Sequence, residues 1–521
     1  MLDWHALRGR LFAIDEELKE ISARAELLVR ERQDVVQQLD AGVFGLDSHP
    51  IDRLPNEILA EIFMAVYHGD AAALRLGADL HDYSRPGSYF PHRIHLTLVP
   101  VCKRWRNVAH SLGCLWSTFD FRVVRKIHNV ERTMTNWLPR AKACPLNIRV
   151  SADFWSGRGP RPRSRLMQLL SPFFARTTHL STIIHLQSEF ITTFPSNLIV
   201  GQFRQLRMLE VNGIGPDHGL ALSPITGFSN APNLRKVHLR GIDSPAWIAL
   251  PYEQLTCLRL SHVAAEPTCE FLRLTPNIEE VHLNEPSFTV RQLPLTRAFL
   301  LLPKLRILSI ADSPGSMISD TILQDLSLPN LQSLALSGSY PEKPHFAQFL
   351  ARSQCCIQSV DVEWIPDRPE GDVVELLYMI PTAGEIRIRA QIEHPDELDD
   401  FGPFLLHLLE ALEQKGDEFL PHLRSLAIDP LPLSAPIPYH ALARMLLSRH
   451  QRVNPLQSIK LISRSPGESE AEAPDQSALS SINNLKAGGM DVQLRGLQIF
   501  DTKVFFCNFN SEILVLIIIG S

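Results

Sequence analysis

The sequence predicts an α/β protein: a helical front followed by a long, repeat-built rear that folds around a parallel sheet. Three patterns predict it. A heptad seam runs through residues 7–39, two amphipathic helices fall between 46 and 119, and an apolar triplet recurs from about residue 200 onward. At 521 residues the chain exceeds what one compact core holds unless it is built from repeats.

The seam comes first. Leu7, Leu11, Ile14, Leu18, Ile21, Ala25, Leu28, Arg32, Val35 and Leu39 alternate steps of four and three, with Glu, Arg, Lys and Gln between them. That pattern describes a coiled-coil helix over 1–45. No Pro or Gly interrupts it from Leu11 to Ala41, and Gly42 and Gly45 end it. At ~1.5 Å per residue the helix is roughly 50 Å long. The seam needs a partner. It could pair with a second copy, making a homodimer through residues 7–39, or fold back on its own chain. Arg32 at a seam position weakens either pairing.

Residues 46–119 hold the two amphipathic helices. Pro55 suits a helix start, because its missing N–H costs nothing there and its φ is already helical. Ile58, Leu59, Ile62, Phe63 and Val66 then recur at three- and four-residue steps. Val101, Cys102, Trp105, Val108 and Ala109 repeat the pattern, and Leu115-Trp116 closes the region. Leu54-Pro55, Glu57-Ile58 and Ile62-Phe63, then Val101-Cys102 and Arg104-Trp105-Arg106, then Leu115-Trp116, resemble the F-box, the helical module that docks on the Skp adaptor of cullin–RING ubiquitin ligases. The resemblance implies adaptor binding through Leu54, Pro55, Ile58, Ile62, Phe63, Val101, Cys102 and Trp105. It does not separate residues that touch the adaptor from those that hold the helices together. The family joins its halves by a short link. Here Gly69 to Arg93 is a long insertion rich in Ala, Gly, Asp and His, expected as a surface loop, which leaves the module's middle helix unassigned.

Residues 120–200 form a connecting region that starts the repeats. A helix is expected from Lys126 to Leu138 and a short strand over Leu146–Val150. Ser156 to Arg165, rich in Arg, Pro and Gly, reads as an exposed loop.

The repeats occupy 201–463. Leu206-x-x-Leu209-x-Val211, Leu234-x-x-Val237-x-Leu239, Leu255-x-x-Leu258-x-Leu260, Ile278-x-x-Val281-x-Leu283, Leu305-x-x-Leu308-x-Ile310 and Leu331-x-x-Leu334-x-Leu336 follow one another. Weaker copies at Ile357 and Ile386 lead to Leu423 and Leu456. The first apolar residues at 206, 234, 255, 278, 305, 331 and 357 are spaced by 28, 21, 23, 27, 26 and 26. This resembles the leucine-rich repeat, implying an irregular solenoid with a parallel sheet. Pro recurs two residues before the first Leu at 232, 276, 303, 329 and 421, where it breaks the returning segment without weakening the strand. The Asn or Cys that regular repeats place three residues after the last Leu is missing: those positions are Ile214, Ile242, Val263, Pro286, Ser313 and Ser339. The spacing also breaks between 388 and 423, where His394 to Gly402 reads as an acidic loop before a helix from Phe404 to Gln414. Residues 464–476 read as a disordered acidic linker, and 477–521 as a C-terminal cap with a helix over 477–487 and a last strand. Val504 to Ile519 is apolar, and either docks as a final strand or does not mark the natural end.

Composition excludes several classes. Fifty-one basic and 57 acidic side chains give a net charge of −6, no footprint for nucleic acid. The 8 cysteines are scattered without a Cys-x-x-Cys pair, as in a reduced chain. Asp3, His5, Arg8 and Arg10 break any leading apolar run, and Ile513–Ile519 is too short to span a bilayer. A soluble protein of the cytoplasm or nucleus is expected.

No catalytic motif is found, and no cofactor or metal is expected. His92 and His95 near Cys102 invite a zinc set but lack a fourth ligand. In each repeat the residue between the last two apolar positions should point away from the core. Glu210, His238, Arg259, His282, Ser309, Ala335 and Asp361 are therefore expected on an exposed sheet face, where a protein target could bind. The resemblance to F-box proteins with leucine-rich repeats, a type abundant in basidiomycete fungi, implies a non-catalytic substrate receptor of a Skp–cullin–F-box ligase. The competing readings are a non-ligase interaction scaffold and, more remotely, a hydrolase hidden in the repeats.

Overall fold

A computed structural model describes residues 51, 54–77, 97–123, 134–152, 170–185, 203–214, 225–286, 299–312, 318–365, 371–390, 398–414, 418–428, 437–452, 454–461 and 476–494, with scattered positions between 16 and 34. The described positions of the heptad segment are helical, and Leu28 of the seam is 56% exposed. Arg32 of the seam is exposed as well; the other seam residues, His92, His95, the basic loop at 156–165, the acidic linker up to residue 475 and the apolar run 504–519 lie outside the described residues. The chain divides into two compact units, 1–118 with 136–144, and 119–135 with 145–521.

In the first unit, helix α1 (Asn56–Gly77) starts on Pro55, whose carbonyl accepts the first intrahelical bond from the Leu59 N–H at 3.0 Å. Proline thus occupies the capping position, where its lack of a donor is harmless. Leu59, Phe63 and Tyr67, four apart, form the buried stripe. Of the loop expected over Gly69–Arg93, residues 69–77 are instead helix, and 78–93 lie outside the described residues. Asp70-Ala71-Ala72-Ala73-Leu74-Arg75-Leu76 is strong helix-forming sequence, and it carries the helix past Gly69. Helix α2 (Lys103–Ser111) is capped by Cys102, whose Sγ accepts from the Trp105 N–H at 3.4 Å. A short turn (Gly113–Trp116) then buries Leu115 and Trp116. Trp116 Nε1 donates to the Ala109 carbonyl at 2.8 Å, and Trp137 and Arg140 pack on its ring at 6.0 and 4.6 Å. Gly113 fits where a Cβ would sit 3.0 Å from Cys144 Sγ and 3.1 Å from the Ala141 carbonyl oxygen, tighter than ordinary van der Waals contact. Of the expected helix at 126–138, residues 134–137 are helical, and 126–133 lie outside the described residues.

The second unit is a repeat-built sheet. Its strands are β1 (Thr118–Val123), β2 (Leu146–Ala152), β3 (Thr177–His185), β4 (Met208–Ile214), β5 (Lys236–Arg240), β6 (Cys257–Ser261), β7 (Glu280–Asn284), β8 (Leu300–Leu301), β9 (Ile307–Ala311), β10 (Leu326–Ser327), β11 (Ser333–Ser337), β12 (Ser359–Trp364), β13 (Glu385–Ala390), β14 (Ser425–Ile428), β15 (Ser458–Leu461) and β16 (Asp491–Leu494). Fourteen of them form one sheet in chain order, and β8 and β10 pair separately. From β2 onward the neighbours run parallel, as repeats stacked in sequence require. Strands also come from the connecting region and the C-terminal cap.

The returning segments carry 3-10 turns in the early repeats and helices afterwards: α3 (Ala265–Leu274), α4 (Ile318–Asp325), α5 (Lys343–Ser353), α6 (Gly371–Tyr378), α7 (Leu398–Gln414), α8 (Tyr439–His450) and α9 (Gln476–Ala487). Helix α7 covers residues 398–402 of the acidic loop expected at 394–402 and contains Pro403; residues 394–397 lie outside the described residues.

The lead residues Leu206, Leu234, Leu255, Ile278, Leu305, Leu331, Ile357, Leu423 and Leu456 are at most 1% exposed. Ala383, also fully buried, fills this place in the weak repeat of Ile386 and Ile388. Polar staples do exist, on the opposite side of the strand from where regular repeats place them. Asn233, Asn277 and Asn330 precede the lead residues and donate to the carbonyls of Arg204, Glu253 and Pro303 in the previous repeat, at 2.7, 2.6 and 2.7 Å. At the strand ends, Gly241, His262, Glu285 and Gly338 take positive φ of 61, 54, 44 and 74°. After Gly241 and His262 the next residues, Ile242 and Val263, are buried, so an apolar side chain fills the place of the missing Asn or Cys, while after Gly338 the buried residue is Ser339.

Candidate functional site

Two surfaces collect the residues the sequence singles out. On the helical unit, Arg104 ties the starts of both helices together. Its Nε donates to Asn56 Oδ1 at 2.9 Å and its Nη2 to the Leu54 carbonyl. Arg106 Nε fixes the Val99 carbonyl at 3.1 Å. The sequence-selected residues then separate. Phe63 is buried at 1% exposure and meets the half-buried Trp105 at 4.9 Å between ring centroids. Cys102 is the cap of α2, and Leu54 and Ile62 are half-buried. Pro55, Ile58 and Val101 are exposed, Ile58 at 41% and Val101 at 56%, together with Ile51 at 39%. Core packing therefore uses Leu59, Phe63, Val108, Ala109, Leu115 and Trp116, and leaves a set of apolar side chains uncovered beside the helix starts.

The second surface is the sheet face. Arg149, Ser181, Glu210, His238, Arg259, His282, Ser309, Ala335, Asp361 and Arg387 are register partners across successive strands, one row running from repeat to repeat. The expectation that this row is exposed needs correcting. Glu210 and His238 are buried, at 7% and 5%, and Arg259, His282, Ser309, Ala335 and Asp361 are half-buried. Strands only ~4.8 Å apart press long side chains flank to flank, so the row covers itself.

The row is also internally paired. Glu210 Oε1 lies 3.5 Å from His238 Nδ1 and Oε2 lies 3.8 Å from Arg149, while His238 Nε2 meets Ser261 Oγ at 3.0 Å. Burial pushes the Glu210 carboxyl up, but His238, Arg149 and Ser181 outweigh it and hold it at about 2. Asp361 pairs with Arg389 at 2.8 Å. Arg259 Nε is buried and finds no hydrogen-bond partner among the described residues.

One group on this face escapes sequence reasoning apart from His282. Glu280 Oε1 lies 2.7 Å from His282 Nε2, and Cys257 is the register partner of Glu280. The bond to His282 holds the Glu280 carboxyl at about 2 against its partial burial. Burial, aided by the Glu280 charge, pushes the Cys257 thiol up to about 11. The signal was present as Cys257 in one repeat and Glu280-x-His282 in the next, legible only once strand register is known.

Residues 51–122 match the F-box-like family, so the helical unit carries an F-box-like domain. No curated protein matches the chain closely enough to count as a relative. Among solved structures, a chain from the crystal structure of a TLR13–ssRNA13 complex aligns at 17% identity and a TM-score of 0.33, covering 61% of this chain and 49% of that one. The match thus spans about half the length of that chain. Among the described residues, no helix is long and apolar enough to cross a membrane.

Proposed function

We propose that this chain is a non-catalytic substrate receptor of a Skp–cullin–F-box ubiquitin ligase, working in the cytoplasm or nucleus. The F-box-like domain would dock a Skp-family adaptor, and through it the cullin–RING ligase, while the repeat-built sheet would hold a protein target. The observation that carries the reading is the exposed apolar set Ile51, Pro55, Ile58 and Val101 beside a core already complete without it. Large apolar side chains left uncovered on a small helical domain favour a protein partner. Leu54 and Ile62, half-buried, would border the contact, while Phe63, Cys102 and Trp105 would hold the helices in place. On the sheet, the half-buried Arg259, His282, Ser309 and Asp361 are the better candidates for target contact, and Glu210 and His238 would support them from beneath. The mechanism is proximity: tethering a target beside a ubiquitin-charged enzyme raises its effective concentration without bond-making by this chain. Pull-down of the purified chain with a Skp-family adaptor tests the reading. Binding lost on Ile58→Asp supports it, and no binding by the unaltered chain refutes it.

A further inference from the structure

We propose that Cys257, Glu280 and His282 form a binding site for a zinc-class divalent transition metal on the face of the sheet. The three side chains come from adjacent strands. Glu280 and His282 stand two apart on β7 and so project to the same face. Cys257 lies directly across from Glu280 on β6. One sulfur, one carboxylate oxygen and one imidazole nitrogen lie within 4.8 Å of one another. Around a tetrahedral ion with bonds of ~2.0–2.3 Å, ligand atoms sit roughly 3.3–3.8 Å apart. Side-chain rotation alone covers that difference. Glu280 and His282, now 2.7 Å apart, would part by about an ångström or less, and Cys257 would turn inward.

The donors decide which metal. A thiolate and an imidazole with a single carboxylate suit zinc, whereas calcium and magnesium take oxygen ligands. Three protein ligands leave one tetrahedral position for water or an incoming group. Thiolate and carboxylate together balance the dication, so the loaded site is neutral. That matters on a face where Lys236 and Arg259 lie close enough to act on the thiol. These cations repel a bare dication, and the charge of the bound thiolate and carboxylate offsets that repulsion. Cys257 forms no disulfide, and the strand's core contacts are made by Leu258 and Leu260 on the other face, so all three ligands are available. The site shares His282 with the proposed target face, but none of its residues belongs to the F-box-like domain, so metal binding and adaptor binding are tested separately.

The test uses the purified, chelator-treated full chain. Cobalt(II) should give stoichiometric thiolate-to-cobalt charge-transfer absorption, and zinc(II) should bleach it. Cys257→Ser should abolish the band, and His282→Gln should weaken cobalt binding by at least ~10-fold. Cys356→Ser, at an exposed thiol elsewhere, should leave the band intact. As a readout free of folding effects, zinc should slow alkylation of Cys257 in the unaltered chain, read by peptide mass spectrometry, while Cys356 reacts as before. No cobalt–thiolate band, an undiminished band in Cys257→Ser, or equal alkylation of Cys257 with and without zinc would each overturn the proposal.

Discussion

Phe63 and Trp105 meet at 4.9 Å with their ring planes tilted by 58°, joining the two helices of the F-box-like domain. Ile58, little more than a turn before Phe63, turns outward at 41% exposure. The same amphipathic pattern therefore serves two purposes. Phe63→Ala should cost ~3–5 kcal/mol, seen as a lower midpoint in chemical denaturation. Ile58→Asp and Val101→Asp should leave that midpoint within about 0.5 kcal/mol of the parent.

The asparagine staples link repeats by single hydrogen bonds at the surface. Asn277→Ala should cost about 1 kcal/mol, because the Glu253 carbonyl it serves can turn to water. Leu305→Ala, at a fully buried lead position, should cost ~2–5 kcal/mol. Urea denaturation of both variants measures the contrast. Equal losses would contradict the assignment of stapling to one and core packing to the other.

Glu210 links folding to acid. Its carboxyl is held at about 2 in the folded chain against an ordinary value of 4.5. A folded value below the unfolded one means that the stabilisation is complete above about 4.5 and is lost as pH falls toward about 2. Its size is on the order of 3 kcal/mol. Glu210→Gln should flatten stability across that acid window, measured as denaturation midpoint against pH. An unchanged acid slope would show that the Arg149–Glu210–His238 cluster does not hold the charge.

Arg449 is 2% exposed on α8 and donates to the carbonyls of Leu412, Leu420 and Phe419 at 2.8, 2.8 and 2.7 Å. Its guanidinium ties the end of α7 to the turn at 418–420. Arg449→Met should cost ~3 kcal/mol or more by leaving these carbonyls unsatisfied, with a lowered thermal midpoint as the readout.

The apolar periodicities were legible in the sequence. The lead leucines mark the sheet, and Leu59, Phe63 and Trp116 mark the helical core, because burial leaves a regular trace at period two or four. Features resting on backbone geometry or register were not legible. Nothing local reveals that His262 and Glu285 adopt left-handed turns, or that Asn277 reaches the repeat before it. Composition misled at Gly69 and at 398–402, where the chain is helical: an alanine-rich run carries the first helix past Gly69, and a Gly and Pro within a helix-forming run did not stop the second. The face residues pointed as their alternation implies, but neighbours across the sheet decide exposure, and those neighbours lie more than twenty positions away in sequence. The Cys257–Glu280–His282 group is hidden for the same reason.

The most direct test of the central claim is quantitative binding of the full chain to a purified Skp-family adaptor, compared with the Ile58→Asp, Val101→Asp double variant of matched thermal stability. The account predicts a stable stoichiometric complex for the parent and none for the variant. An adaptor that ignores the parent chain, or binds both equally, would contradict it.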